Sequence, residues 1–224
     1  MKISPCFSLK RFCYLGLLLI QLSVSSALYA SPEIKITGLT SELEANARAY
    51  LALTKEACEA PQWKIKRLFN ESPEQIEKAL RALGYYQPKT QKSLTWEKDC
   101  WASVFNIQLG SPMLINELDI QVLGAGAEEP FFAELLQKNS IKLGSIVNHG
   151  HYETLKSSLQ AQAEAKGYFD NHYELKRLAV DLGNNTALIQ LHLQTGSRYY
   201  ISRIDIAENA LDPEFGSHFL QLKQ

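Results

Sequence analysis

His149 and His151 flank Gly150, the closest pair of histidines in the chain. Two imidazoles at that spacing could share a divalent metal, given a third ligand from a cysteine or an acidic cluster. No such cluster stands beside them, so they read as polar residues where a helix begins. His172 and His192 fall at or in predicted strands, and His192 lies on the outward face as a solvated imidazole. Cys58 and Cys100 are the other chemically capable pair, and they are too far apart in sequence for a metal knuckle. No G-x-S-x-G, H-E-x-x-H or phosphate-loop pattern occurs. Gly124-Ala125-Gly126 is a turn, because no third glycine opens a helix behind it. Glu33, Glu128 and Glu129 are ordinary surface acids. The expectation is therefore a protein with no catalytic, cofactor-binding or metal-binding residues, not an enzyme and without a small-molecule substrate.

The first thirty residues are read as a secretory signal. Lys2, Lys10 and Arg11 lead an apolar run from Phe12 to Leu22, and small residues follow. Cleavage is expected after Ala27 or Ala30. A membrane anchor is the other reading, but the run falls short of the roughly 20 residues that span a bilayer. Cys6 and Cys13 leave with this segment. Cys58 and Cys100 remain as an even pair in an oxidising compartment, which predicts one disulfide; two buried thiols are the alternative. Removing the three leader cations takes the formal net charge from −1 to −4. That balance gives no support for nucleic-acid binding, which usually needs a basic face.

The elements that place these residues are written twice. EQIEKALRALGYYQP and SVFNIQLGSPMLINELDI (within 74–120) return as ETLKSSLQAQAEAKGYFDN and ALIQLHLQTGSRYYISRIDI (within 153–206). Gly84 and Gly167 lie 83 positions apart, Gly110 and Gly196 lie 86 apart. The difference fits a three-residue insertion between two strands. A fixed long period means tandem small domains. We read residues 31–111 as the first, 112–197 as the second and 198–224 as the start of an incomplete third. Because the sequence stops inside that third unit, it is expected to be a fragment of a longer protein or the product of an interrupted reading frame.

Each unit reads β-α-α-β-β. In the first, EIKITGL (33–39) is a strand. Thr40 and Ser41 each offer a cap, Ser41 forming a capping box with Glu44, for a helix with Leu43, Ala47, Tyr50 and Leu51 on one stripe. A loop then holds Cys58, Trp63 and Phe69. Ser72-Pro73-Glu74-Gln75 predicts the start of the second helix, with Ile76, Ala79, Leu80 and Leu83 inward. Gly84 stops it, Tyr85 and Tyr86 lead into an extended segment through Trp96, and 104–109 alternates as a strand. In the second unit, a strand covers 114–123, a helix starts near Pro130, 143–150 is a loop, and a long helix runs from about Tyr152 to Lys166. Gly167, Tyr168 and Phe169 repeat the first motif. Strands at 173–180 and 187–193 flank a Gly183-Asn184-Asn185 turn. In both copies the aromatics are read as packing their own sheet; contacts between units or with a client are the other reading. A strand resembling the earlier opening strands is expected over 199–207.

This element order, the Gly-aromatic-aromatic after the second helix, the tandem array and the leader resemble POTRA domains, the periplasmic repeats of the outer-membrane insertase superfamily. GLTSELEANARAYLAL (38–53), KALRALGYYQP (78–88) and NHGHYETLKSSLQAQAEAKGYFD (148–170) are similar, within that superfamily, to the outer-membrane component of the translocation and assembly module. The resemblance implies an α+β fold in which a small three-stranded mixed sheet is covered by two helices. It also implies three such domains before a membrane barrel, which is absent from this sequence. Its implied partners are an inner-membrane-anchored protein and outer-membrane or autotransporter clients, met in the periplasm. A freestanding periplasmic scaffold or chaperone-like repeat protein is the alternative. Either could work by strand addition, since an exposed sheet edge offers unpaired backbone groups. The candidate edges are 87–96 and 171–180, marked by Gln87, Thr90, Tyr173 and Leu175.

Overall fold

The computed structural model describes residues 31–97 and 100–203. The expected signal segment lies outside these residues, as do 204–207 of the third-unit strand. The described part of that strand, 199–203, has no strand geometry.

Two three-stranded mixed sheets are present, each with two α-helices packed on one face. The first contains β1 (Glu33–Thr37), β2 (Lys89–Glu97) and β3 (Cys100–Gln108) in the order β1-β3-β2. The second contains β4 (Leu114–Leu123), β5 (His172–Asp181) and β6 (Thr186–Gln194) in the order β4-β6-β5. In both, the opening strand runs parallel to the central one and the hairpin partner runs antiparallel. A parallel pair needs a crossover connection, and two helices supply it each time. These are α1 (Ser41–Tyr50) and α2 (Gln62–Ala82) in the first unit, α3 (Pro130–Lys138) and α4 (His149–Ala165) in the second. The α+β class and the β-α-α-β-β order are those expected.

Alternation sets the core. On β3, Trp101, Ser103, Phe105 and Ile107 are buried, and on β6, Ala187, Ile189, Leu191 and Leu193. Period-2 burial on a strand with partners on both sides is what covers one face of a sheet. The helices answer with period-3.6 stripes: Ile65, Leu68, Phe69, Ser72, Ile76, Ala79 and Leu80 on α2, and Tyr152, Leu155, Leu159 and Ala163 on α4. Each set closes its own hydrophobic cluster.

Of the two cap candidates for α1, Thr40 takes the role, accepting from the Leu43 amide at 3.5 Å. Two helix starts differ from the sequence reading. Helix α4 begins at His149, because Asn148 accepts from the His151 amide at 3.1 Å and so ends the loop earlier. The largest difference is α2. Ser72-Pro73 does not open it; the helix starts at Gln62 and carries Pro73 inside. A proline there removes the amide that would satisfy the carbonyl four residues back, that of Phe69. Lys92 on β2 takes over: its ammonium donates to the Phe69 carbonyl at 2.7 Å and to that of Asn70 at 3.3 Å. The same ammonium sits 4.4 Å from the centre of the Phe69 ring. Burial pushes the Lys92 pKa down. Ser72, fully buried, turns its hydroxyl onto the Leu68 carbonyl at 2.8 Å.

Cys58 and Cys100 are bonded, with an S–S distance of 2.02 Å. The bridge ties the loop before α2 to the first residue of β3. Beside it, the Trp101 indole donates to the Ala57 carbonyl at 3.1 Å.

Replacing Lys92 by Met should destabilise the fold by about 1–2 kcal/mol, the cost of an orphaned buried carbonyl. Pro73→Ala restores a helix amide to that carbonyl, so the two changes should couple by about 1 kcal/mol in a urea-denaturation double-mutant cycle. Strict additivity would show that Lys92 does not serve the proline.

Candidate interaction edges and the inter-unit junction

Each of the four outer strands is an edge, and the chain covers two of them at least in part. Arg48 reaches from α1 to the Ile34 carbonyl on β1, 2.8 Å away, steadied by Glu44 one helical turn before it. The start of β4 is paired by a short extended stretch. Gly144 and Val147 donate to the Ile115 and Met113 carbonyls at 2.7 and 2.9 Å, and Ile115 donates to the Ser145 carbonyl at 2.9 Å. Strands β2 and β5 have no second strand neighbour among the described residues.

The four residues marked as edge candidates sit differently. Thr90 lies in β2, opposite Ile107. Tyr173 and Leu175 lie in β5, opposite Leu193 and His192, with a bulge between them. The Tyr173 hydroxyl bonds the Lys156 carbonyl at 2.7 Å, and burial pushes its pKa far up. Gln87 precedes β2, and its side-chain amide donates to the Leu182 carbonyl of the second unit at 3.3 Å. Strand β2 is regular along its nine residues. The β5 bulge bends its edge, a device that commonly discourages casual pairing.

The glycine-aromatic motifs build the junction. Gly84 and Gly167 have φ of +89° and +88°. Each ends its helix with a Schellman turn: Tyr85 and Tyr168 amides bond the Leu80 and Ala163 carbonyls, at 3.0 and 2.9 Å. Each glycine carbonyl then accepts from the chain that follows its unit, Met113 to Gly84 and Tyr199 to Gly167, both at 2.8 Å. A Cβ on Gly84 would stand 2.5 Å from the Val147 carbonyl oxygen, and one on Gly167 would stand 2.7 Å from that of Tyr199. The first aromatics, Tyr85 and Tyr168, pack their own cores as read from the sequence. Tyr86 does not: its ring joins the second unit's cluster, and its hydroxyl meets His149 Nε2 at 2.5 Å. Phe169, at the same position of the second motif, is 65% exposed and lies against Tyr199. Contact between units is the second reading of these motifs from sequence, because a Gly-aromatic-aromatic run looks the same whichever unit the ring enters.

The histidines do not converge. His149 turns into the junction, where burial holds its pKa below the ordinary value; Glu153 opposes this shift and Arg81 adds to it. His151 lines a cleft between α3 and α4 with Phe131 and Leu155. Among the described residues, no group of three His, Cys, Asp or Glu side chains could hold a metal. His192, read as solvated, is instead half-buried and bonds Asp119 at 2.7 Å across the sheet. Bonds from Gln121 and His192 hold the Asp119 carboxyl below its usual range. No helix among the described residues is long and apolar enough to cross a membrane.

Gly84→Val should strain the end of α2 as well as the junction; added protease cleavage between 109 and 114, together with a lower urea midpoint for the first unit, is the expected result. For His149 the folded pKa lies below the unfolded value of about 6.5. Its neutral form is the one the junction favours. That contribution is complete above pH 6.5 and fades as the pH falls towards the folded pKa. The urea midpoint of His149→Gln should therefore drop less than that of the unaltered chain between pH 7.5 and 5. Equal slopes would mean that His149 titrates alike in both states.

Residues 33–109 match the family model described as POTRA domain TamA domain 1. Among solved structures, POTRA3-5 of Haemophilus influenzae BamA is similar at 13% identity and a TM-score of 0.44, with 88% of this chain and 77% of that one covered. POTRA1-3 of the periplasmic domain of Omp85 from Anabaena is similar at 17% identity and 0.34, over 73% and 59%. The N-terminal domain of Omp85 from Thermosynechococcus elongatus gives 15% and 0.35, over 72% and 60%. The chain thus spans under two thirds of the two Omp85 structures. The first unit is similar to the first POTRA domain of TamA, and the second repeats its β-α-α-β-β order and sheet topology.

Proposed function

We propose that this chain is the periplasmic POTRA region of a TamA-like outer-membrane assembly and translocation factor, and that it works by binding other proteins rather than by catalysis. One observation carries the reading: each unit ends its sheet on an antiparallel strand, β2 or β5, whose outer side has no second strand among the described residues. Main-chain groups on such an edge accept an extended segment with little regard to its sequence. That tolerance suits a module that must receive many clients. Strand β2 is the better acceptor, since it is regular over nine residues and the β5 edge is bulged.

The first-unit match to TamA supports the choice within the superfamily. On this reading the partner is a TamB-like protein anchored in the inner membrane, and the clients are outer-membrane proteins, autotransporters among them. The leader read at residues 1–30 supports export to the periplasm. A barrel, where one follows in the full protein, would hold these domains at the outer membrane.

Site-specific photo-crosslinking tests it. A probe at Gln91 or Thr95 on β2, or at Arg177 on β5, should capture outer-membrane clients or an inner-membrane-anchored partner in cells. A probe at the exposed Lys78 on α2 sets the background. Capture at the strands no greater than at Lys78 would sink the reading.

A further inference from the structure

The first unit meets the second where α2 ends and α4 begins. Tyr86, two residues past Gly84, packs its ring against the second unit's hydrophobic cluster. Its hydroxyl lies 2.5 Å from His149 Nε2, and the two ring centres are 6.0 Å apart. His149 is the first residue of α4 and is half-buried. Other bonds that cross here carry no titratable group: the Met113 amide donates to the Gly84 carbonyl, and the Gln87 side chain to that of Leu182.

The surroundings of His149 suit a neutral imidazole. With its own proton on Nδ1, the ring accepts the Tyr86 hydroxyl at Nε2. A second proton would occupy Nε2, and the phenol would have to turn its hydrogen away. The phenol does not compensate by ionising, because burial raises its pKa. The start of a helix also carries the positive end of its dipole. From the first unit, the Arg81 guanidinium lies 5.9 Å from the centre of the Tyr86 ring. Burial and Arg81 both disfavour the imidazolium, and Glu153 on α4 favours it. Glu153 is exposed and already paired with Lys156 at 2.5 Å, which blunts its help. His151, two positions on, lines the α3–α4 cleft instead.

We propose that His149 makes this junction acid-labile: the neutral ring holds the two units together through Tyr86, and its protonation frees Tyr86 so that the units part about the link at 109–114. The sign follows from the two environments. In the parted form His149 is a solvated imidazole with a pKa of about 6.5. In the joined form it lies below that value. The parted form therefore binds more protons, and acid favours it. Once the pH is below both values, each pH unit separating them raises the ratio of parted to joined chains about tenfold. The second motif has Phe169 at the equivalent position, with no hydroxyl to bond, so the device is specific to the first junction. It stands whether or not the sheet edges receive clients.

Residual dipolar couplings of the ¹⁵N-labelled full chain test it, because they report how the units are oriented. At pH 7.5 one alignment frame should fit residues 33–109 and 113–194 together. At pH 5.0 each unit should still fit a frame of its own, but the two frames should differ. His149→Gln, whose amide oxygen can accept from Tyr86 and takes no proton, should keep one frame at both pH values. Tyr86→Phe should move the His149 ring titration up towards about 6.5. One frame at both pH values in the unaltered chain would overturn the proposal, as would two frames at pH 7.5. Parting of H149Q at pH 5.0 would place the trigger elsewhere and overturn it too. Loss of either unit's own frame at pH 5.0 would mean unfolding rather than parting, and an unmoved His149 titration in Y86F would mean that Tyr86 does not hold the neutral ring; either result sinks the idea.

Discussion

A helix must stop before a sheet can begin, and in this chain the stop decides everything downstream. Gly84 and Gly167 adopt a backbone conformation that a side chain would strain. At Gly167 the following Tyr199 both crowds the bare α-carbon and bonds the carbonyl; at Gly84 Val147 does the crowding and Met113 the bonding. One residue therefore satisfies the helix end, aims the aromatic that closes the core, and receives the segment leading onward. The period of the sequence is the period of this joint.

The joint also explains why two aromatics follow it. The first is taken into the unit just completed. The second is left pointing forward. Tyr86 finds a second core to enter and a histidine at the start of α4 to bond. Phe169 stands at the equivalent point with its ring largely in solvent. The same two-residue phrase thus works first as packing and then as contact, and only the neighbour differs.

Much of this was legible from residues alone. The alternation of β3 and β6 marked the core face, the apolar stripes marked both long helices, and the glycines marked their ends. What was hidden depends on partners far away in sequence. Ser72-Pro73-Glu74-Gln75 carries every local sign of a helix start. It lies mid-helix because a lysine about twenty positions later reaches back to the carbonyl that the proline strands. His192 has no local sign of Asp119, which lies across the sheet.

The parallel pairing of the opening strands has a consequence for how such a chain comes to be folded. Glu33 lies beside Ala102, and Leu114 beside Thr186. Each sheet is thus centred on its last strand, and a chain that emerges from its N-terminal end holds the first strand without a partner until almost the whole unit has followed. Until then neither hairpin nor crossover can close, and pairing between distant segments is the slow kind. Each unit therefore folds late and at once, its own last strand occupying the place that a stranger's might have taken.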